Sequence, residues 1–302
     1  MTMFSTSVTP SERRQALRAA LHAAPILRLP GAFSPLVARS IQEAGFEGVY
    51  VSGAVVAADL ALPDIGLTTL TEVAARARQI ARATDLPVLV DADTGFGEPM
   101  NAARTVSELE DAGVAGCQLE DQVNPKRCGH LDGKEVVSTE QMVRRIGAAV
   151  SARRDPDFVI CARTDAAGVE GIGDAIDRAH EYAAAGADVI FPEALHTRED
   201  FERFRHAVPE VPLLANMTEF GKTDLLSAGE LQEIGYNAVI FPVTTLRIAM
   251  GQVEQALWEL ADSGTQAGWL DRMQHRSRLY DLVRYAEFNV FDQNLFTYRP
   301  KT

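Results

Sequence analysis

The chain has 302 residues, 46% of them hydrophobic and 24% charged, which is enough material for one large barrel or two smaller domains. A net charge of −13, with no basic stripe to offset it, disfavours nucleic-acid binding. The longest apolar runs fall far short of the roughly 20 residues of a membrane span. Met1-Thr2-Met3-Phe4-Ser5 leads to Ser11-Glu12-Arg13-Arg14 without a basic flank and apolar run, so no secretory signal is expected and the cytoplasm is the default location.

Eight apolar runs of strand length recur along the chain. Ile26-Leu27-Arg28-Leu29-Pro30 precedes a helix expected from Ser34 to Ala44, and Gly45 then leads to Val49-Tyr50-Val51-Ser52. Val88-Leu89-Val90-Asp91 starts just after a proline, and Asp111-Ala112-Gly113 leads to Cys117-Gln118-Leu119-Glu120. Phe158-Val159-Ile160-Cys161 follows, then Ala185-Gly186 before Val189-Ile190-Phe191-Pro192-Glu193. Leu213-Leu214-Ala215-Asn216 and Ala238-Val239-Ile240-Phe241-Pro242 complete the series, the latter after Ile234-Gly235. Glycine takes the left-handed conformation at no steric cost, so Gly45, Gly113, Gly186 and Gly235 read as helix C-caps. Eight such runs, each followed by a helical pattern, predict parallel strands buried on both faces and closed into a (β/α)8 TIM barrel. A doubly wound sheet is the alternative, but the G-x-G-x-x-G fingerprint after the first strand is absent.

One barrel domain is expected over residues 1–302, with about 245–302 forming the eighth helix and a helical C-terminal extension. Residues 268–302 carry Trp269, Tyr280, Tyr285, Phe288 and Phe296, more aromatic surface than a free tail would expose, and are expected to pack on a partner subunit.

The functional signal is where the polar residues fall. Ser52, Asp91 and Asp93, Glu120 and Asp121, Arg163 and Asp165, Glu193 and Asn216 all stand at the ends of apolar runs, which in a barrel converge on the C-terminal face where active sites are built. Asp91 and Asp93 are two apart at a strand end, so they point the same way, and the glycines Gly95 and Gly97 follow. This pattern suits a hard cation, magnesium first and manganese second, which binds one or two carboxylates and keeps water and substrate oxygens as its other ligands. The loop Asn124-Pro125-Lys126-Arg127-Cys128-Gly129-His130 sets a thiol between an arginine and a histidine, cationic neighbours that favour the thiolate and make Cys128 a candidate proton donor or nucleophile. Cys117 and Cys161 lie inside apolar runs and read as core thiols. The only lysines are Lys126, Lys134, Lys222 and Lys301, none in an expected strand, so a Schiff-base mechanism is disfavoured and carbanion chemistry would rely on a metal. Arg163 suits bidentate carboxylate binding.

These motifs, together with Leu62-Pro63-Asp64-Ile65-Gly66, Ala162-Arg163-Thr164-Asp165 and Asn216-Met217-Thr218-Glu219-Phe220-Gly221, resemble the isocitrate lyase and phosphoenolpyruvate mutase superfamily and, within it, the 2-methylisocitrate lyases. The likeness runs from about Ala16 to Phe296, and the Lys-Arg-Cys-Gly-His loop marks the carbon–carbon lyases in particular. It implies a homotetramer with the eighth helix exchanged between subunits, and cleavage of a tricarboxylate, 2-methylisocitrate, to pyruvate and succinate in the methylcitrate route of propionate catabolism. Carried onto this chain, it implies that Asp91 and Asp93 anchor magnesium, with Glu120 acting through water. Ser52, Gly53, Ala54, Cys128, Gly129, Arg163, Glu193, Asn216, Met217, Thr218, Arg247 and Arg276 would line the substrate, with Phe191 and Pro242 receiving its methyl group. The expected reaction is a retro-aldol type cleavage in which Tyr50 or Asp64 takes the hydroxyl proton and Cys128 protonates the departing carbanion. The alternatives are an isocitrate lyase, a dimethylmalate lyase, an oxaloacetate decarboxylase, a phosphonate-processing enzyme, or a dicarboxylate-binding protein without turnover. The turn after Ser52 departs from the family pattern, with Ala54 and Val55 where a glycine run is common and the segment one residue shorter.

Overall fold

All eight apolar runs form strands: β1 (Leu27–Pro30), β2 (Val49–Val51), β3 (Val88–Asp91), β4 (Gly116–Glu120), β5 (Val159–Thr164), β6 (Val189–Pro192), β7 (Leu214–Asn216) and β8 (Ala238–Phe241). They come from a computed structural model that describes residues 6–127, 129 and 133–297. Every pairing is parallel, in two ladders of order β2-β3-β4-β5-β6 and β1-β8-β7. Isolated bridges from Gly31 to Tyr50 and from Ile190 to Leu213 link the ladders, so the neighbour order returns on itself as in a (β/α)8 fold.

Successive side chains of a strand point to opposite faces, and here both faces are apolar. Leu27, Leu29, Leu89, Val159, Cys161, Val189, Leu214 and Ile240 share one inner cluster, while Val49, Val88, Val90, Cys117, Leu119, Ile160, Ile190 and Val239 pack in the larger cluster that includes the helices. Both strand cysteines are fully buried, and burial pushes their thiol pKa values up, in keeping with a core role.

The N-terminal helix Pro10–Ala20 sends Leu17 into the inner cluster, joined by Leu21 just beyond it, and so plugs it from one end. Its buried Arg13 and Arg14 donate to the carbonyls of Thr84 at 2.9 Å and Glu110 at 2.8 Å, near the C-termini of the helices Leu70–Ala81 and Pro99–Asp111, where a cation also complements the helix dipole. Helices open on reciprocal caps such as Thr69 with Glu72 and Ser227 with Glu230. Gly45, Gly113, Gly186 and Gly235 all have positive φ, as expected of residues ending helices.

The chain separates into two compact units, Val8–Leu246 and a second that takes Arg247 onward together with the residues before Val8, one division falling inside the helix Thr244–Ser263. The first unit holds every strand. In the second, Trp269 is buried and its indole N–H donates to Glu259 at 2.7 Å, while Tyr280 stacks on Tyr285 with ring centroids 4.7 Å apart. Ile248, Leu257, Trp258, Leu270 and Phe296 are exposed. Among the described residues, no helix is long and apolar enough to cross a membrane.

Candidate active site

The strand ends bring the predicted polar residues together. Asp91 closes β3, and two residues on Asp93 adopts a left-handed backbone with φ 46°, a costly conformation for a residue with a side chain. The Asp93 amide donates to Asp91 Oδ1 at 3.1 Å, and the Gly53 amide donates to Asp91 Oδ2 at 3.1 Å. A β-carbon on Gly53 would lie 3.0 Å from Asp93 Oδ1 and 3.1 Å from Asp91 Oδ2, so the bare glycine leaves a small space walled by both carboxylates. Sequence spacing predicted the two acids; the role of Gly53 in keeping room between them emerges from the packing.

Behind the pair stands Gln118, a fully buried amide on β4. Its Nε2 donates to Asp91 Oδ1 at 3.1 Å and approaches Glu120 at 3.5 Å, and its Oε1 accepts the Tyr50 hydroxyl at 2.6 Å. The Lys126 ammonium is bound by Asp64 and lies 2.9 Å from Asp93. Burial would lower the lysine pKa, but Glu120, Asp93, Asp91 and Asp64 outweigh it, so Lys126 stays charged and is no amine nucleophile.

Arg163, on β5, is clasped by Asp165 through Nε at 2.9 Å and Nη2 at 3.0 Å, and its Nη1 lies 3.3 Å from Glu120 and 3.6 Å from Glu193. Phe191 lies beneath the guanidinium, 5.3 Å from carbon to ring centroid, and Asn216 donates to Glu193 at 3.0 Å. Among the described residues, the carboxylates of Asp64, Asp93, Glu120, Asp165 and Glu193 lie within ion-pair distance of Lys126, Lys134 or Arg163, and Asp91 adds a further buried negative charge beside them. Buried negative charge in excess disfavours ionisation. Asp93 is raised to about 6, chiefly by burial and further by Asp91 against the pull of Lys126, and burial holds Glu120 well above the usual carboxylate range.

This donor set fits a divalent cation. Its atoms are carboxylate oxygens, Gly53 leaves space between Asp91 and Asp93, and Glu120 Oε1 is buried with no hydrogen-bond partner among the described residues. No cluster of three or more His, Cys, Asp or Glu side chains forms a closed metal cage among the described residues, and magnesium requires none because it keeps several waters.

Tyr50, Ser52, Ala54, Asp64, Asp91, Gly129, Arg163, Glu193, Asn216 and Thr218 line one cavity, with Lys126, Arg127, Phe191, Ile240, Pro242 and Val243 completing its wall. Four expectations change or stay apart. Met217 does not line the cavity: it follows Asn216 with the opposite orientation, 2% exposed in the hydrophobic core, where its sulfur accepts the Leu226 amide at 3.2 Å. Tyr50 lines the cavity but is a poor base, since burial and the nearby Asp91 push its pKa well above 10 and its proton is committed to Gln118. Arg247 and Arg276 belong to the second unit, and Cys128 lies outside the described residues.

Gly129 gives a direct test of this packing. A β-carbon there would lie 2.5 Å from Arg163 Nη2 and 2.7 Å from Glu193 Cγ, and Asp165 prevents the guanidinium from yielding. Gly129→Ala should lower kcat/KM about tenfold or more, the effect of roughly 1–3 kcal/mol of overpacking. Gly147→Ala, at a helical glycine with nothing within 4 Å, should leave the kinetics unchanged. Equal kinetics for the two variants would contradict the packing described.

Parallel strands ringed by helices, with acids and an arginine gathered at the strand ends, define an α/β enzyme of the TIM-barrel type. Residues 17–261 match the family described as phosphoenolpyruvate phosphomutase, and the chain belongs to that family, part of the isocitrate lyase and phosphoenolpyruvate mutase superfamily. It is 79% identical over 299 residues to a Corynebacterium glutamicum protein named probable 2-methylisocitrate lyase 1, covering 99% of this chain and 98% of that one. The crystal structure of 2,3-dimethylmalate lyase, 35% identical, matches with a TM-score of 0.88 over 98% of this chain and all of its own. Phosphonopyruvate hydrolase in complex with oxalate and Mg2+, 29% identical, matches with a TM-score of 0.85 over 94% of this chain and 99% of its own.

Proposed function

We propose that this chain is a magnesium-dependent lyase that cleaves 2-methylisocitrate to pyruvate and succinate, serving the methylcitrate route of propionate catabolism. The observation that carries the reading is the meeting, in one cavity wall, of Asp91 with the buried guanidinium of Arg163, while Asp93 faces Asp91 across the space left by Gly53. Near full-length likeness to a protein named for this substrate selects it among the superfamily's reactions. Magnesium, held by Asp91 and Asp93 with Glu120 facing its waters, would supply positive charge to the oxygens of the half that becomes pyruvate; manganese suits the same oxygen ligands.

The chain's own groups account for binding and proton movement. Arg163 holds a substrate carboxylate through the face that Asp165 leaves open, and Asn216, Thr218 and Ser52 supply polar contacts around it. Phe191, Ile240, Pro242 and Val243 offer an apolar wall to the methyl group. Of the two candidate bases, Asp64 is the better suited, because it brings a carboxylate proton acceptor to the cavity wall, whereas Tyr50 keeps its proton. Asp64 takes the hydroxyl proton, the oxygen's electron pair forms the carbonyl of pyruvate, and the carbon–carbon bond breaks with its pair left beside a carboxylate of the succinate half. Cys128 then protonates that carbon. Arg127 and Gly129, its neighbours in sequence, both line the cavity.

In this reading the enzyme is a cytoplasmic homotetramer that exchanges its eighth helix. The exposed Ile248, Leu257, Trp258 and Phe296 of the second unit support an interface between copies.

The raised pKa of Asp93 sets a pH dependence. A cation requires the carboxylate, so protons compete with it below about pH 6. Magnesium affinity, read by calorimetry or by metal-induced thermal stabilisation, should be level above that pH and fall about tenfold per unit below it. Affinity unchanged down to pH 5 would contradict this role for Asp93. The reaction itself is tested by following pyruvate release from separate samples of 2-methylisocitrate, 2,3-dimethylmalate, oxaloacetate and phosphonopyruvate. Turnover of 2-methylisocitrate should exceed the others by orders of magnitude, and a different preferred substrate would overturn the reading.

A further inference from the structure

Lys134 is a buried cation to which the proposed chemistry gives no role. Its side chain is 4% exposed, and its ammonium lies 3.0 Å from Asp165 Oδ1 and donates to the Gly129 carbonyl. Asp165 is the residue whose two oxygens clasp Arg163, so Oδ1 is shared between the Lys134 ammonium and Arg163 Nη2. Gly129 in turn lies against that same Nη2, close enough that a β-carbon would overlap it. One ammonium therefore joins the carboxylate that orients the arginine to the backbone that rests upon it.

Burying a charge is costly unless it is paired, and an apolar side chain of similar length would fill this place without that cost. Both partners of Lys134 lead to the cavity: one to Arg163, the other to the residue next in sequence to Cys128. We propose that Lys134 is a positioning residue for the lyase reaction, fixing the Asp165–Arg163 clasp and holding Gly129, the residue after Cys128 in sequence, against it through the Gly129 carbonyl. This rests on the lyase reading above and adds a residue to it.

The test compares Lys134→Met and Lys134→Arg with the full-length wild-type protein in steady-state kinetics, thermal melting and site-resolved alkylation of Cys128 by iodoacetamide. Lys134→Met should lower kcat about 100-fold and change KM less, while the stabilisation conferred by magnesium stays intact because Asp91 and Asp93 are untouched. Alkylation of Cys128 should become about threefold faster or more as its neighbour is released. If Lys134→Met fails to fold, Lys134→Arg carries the test: the charge preserves folding, but the bulkier group cannot hold both partners in place, so kcat falls about tenfold or more at a near-native melting temperature. Wild-type kcat and wild-type alkylation in whichever variant folds would overturn the proposal. The two readings fail separately: a wild type inert toward 2-methylisocitrate sinks the lyase assignment, whereas unchanged alkylation in the variant sinks the anchoring role.

Discussion

Asp91→Asn is expected to abolish both magnesium-induced stabilisation and turnover. Asp91 is committed on each oxygen: Oδ1 accepts from the Asp93 amide and Gln118 Nε2, and Oδ2 accepts from the Gly53 amide. Asparagine removes the charge a cation needs and also turns an amide group toward one of these donors, leaving an N–H facing an N–H. Wild-type protein at about 100 times its magnesium dissociation constant should gain about 2.7 kcal/mol of stability from the metal. The variant should gain nothing measurable, and its kcat/KM should fall about 1,000-fold or more. Thermal melting with magnesium or with EDTA reads the first effect and pyruvate release the second. A variant that keeps both would remove Asp91 from the metal site.

Cys128→Ser is the second large effect. The thiol sits in sequence between residues that line the cavity, and serine matches its shape while offering a far less acidic proton. A positioned general acid contributes about 100- to 10,000-fold, so kcat should fall by that range with KM changed only a few-fold. Because Ser52, Arg163, Asn216 and the acid pair are untouched, magnesium and substrate should still stabilise the variant against heat. A Cys128→Ser protein that retains most of its kcat would take this thiol out of the mechanism.

The frame of the molecule was legible because parallel strands buried on both faces are continuous apolar runs, and all eight runs are strands. Their ends were less clear. The apolar run that marks β5 stops at Cys161, yet the strand itself continues through Arg163 to Thr164, since the inner wall of this site is built from polar strand residues. The same blindness hid Gln118, which looks like an interruption in the run Cys117-Gln118-Leu119-Glu120. Strict alternation would have found it: Cys117 and Leu119 pack in the cluster with the helices, which turns Gln118 and Glu120 to the other face. Alternation would equally have separated Met217 from Asn216. The absence of lysine from the expected strands speaks against a Schiff base but hides Lys126 and Lys134, whose side chains are both buried at the site. Their signal was composition, two of the four lysines in the chain standing within nine residues of each other beside Cys128. The preference for Asp64 over Tyr50 as base could not be read at all, because it depends on burial and on the commitment of the Tyr50 proton to Gln118.

The most direct test of the central claim is product release by the purified protein supplied with 2-methylisocitrate, with magnesium or with EDTA, and isocitrate in a parallel sample. The site described here predicts magnesium-dependent pyruvate from the first substrate with little glyoxylate from the second. Dominant glyoxylate, or pyruvate formation indifferent to EDTA, would contradict it.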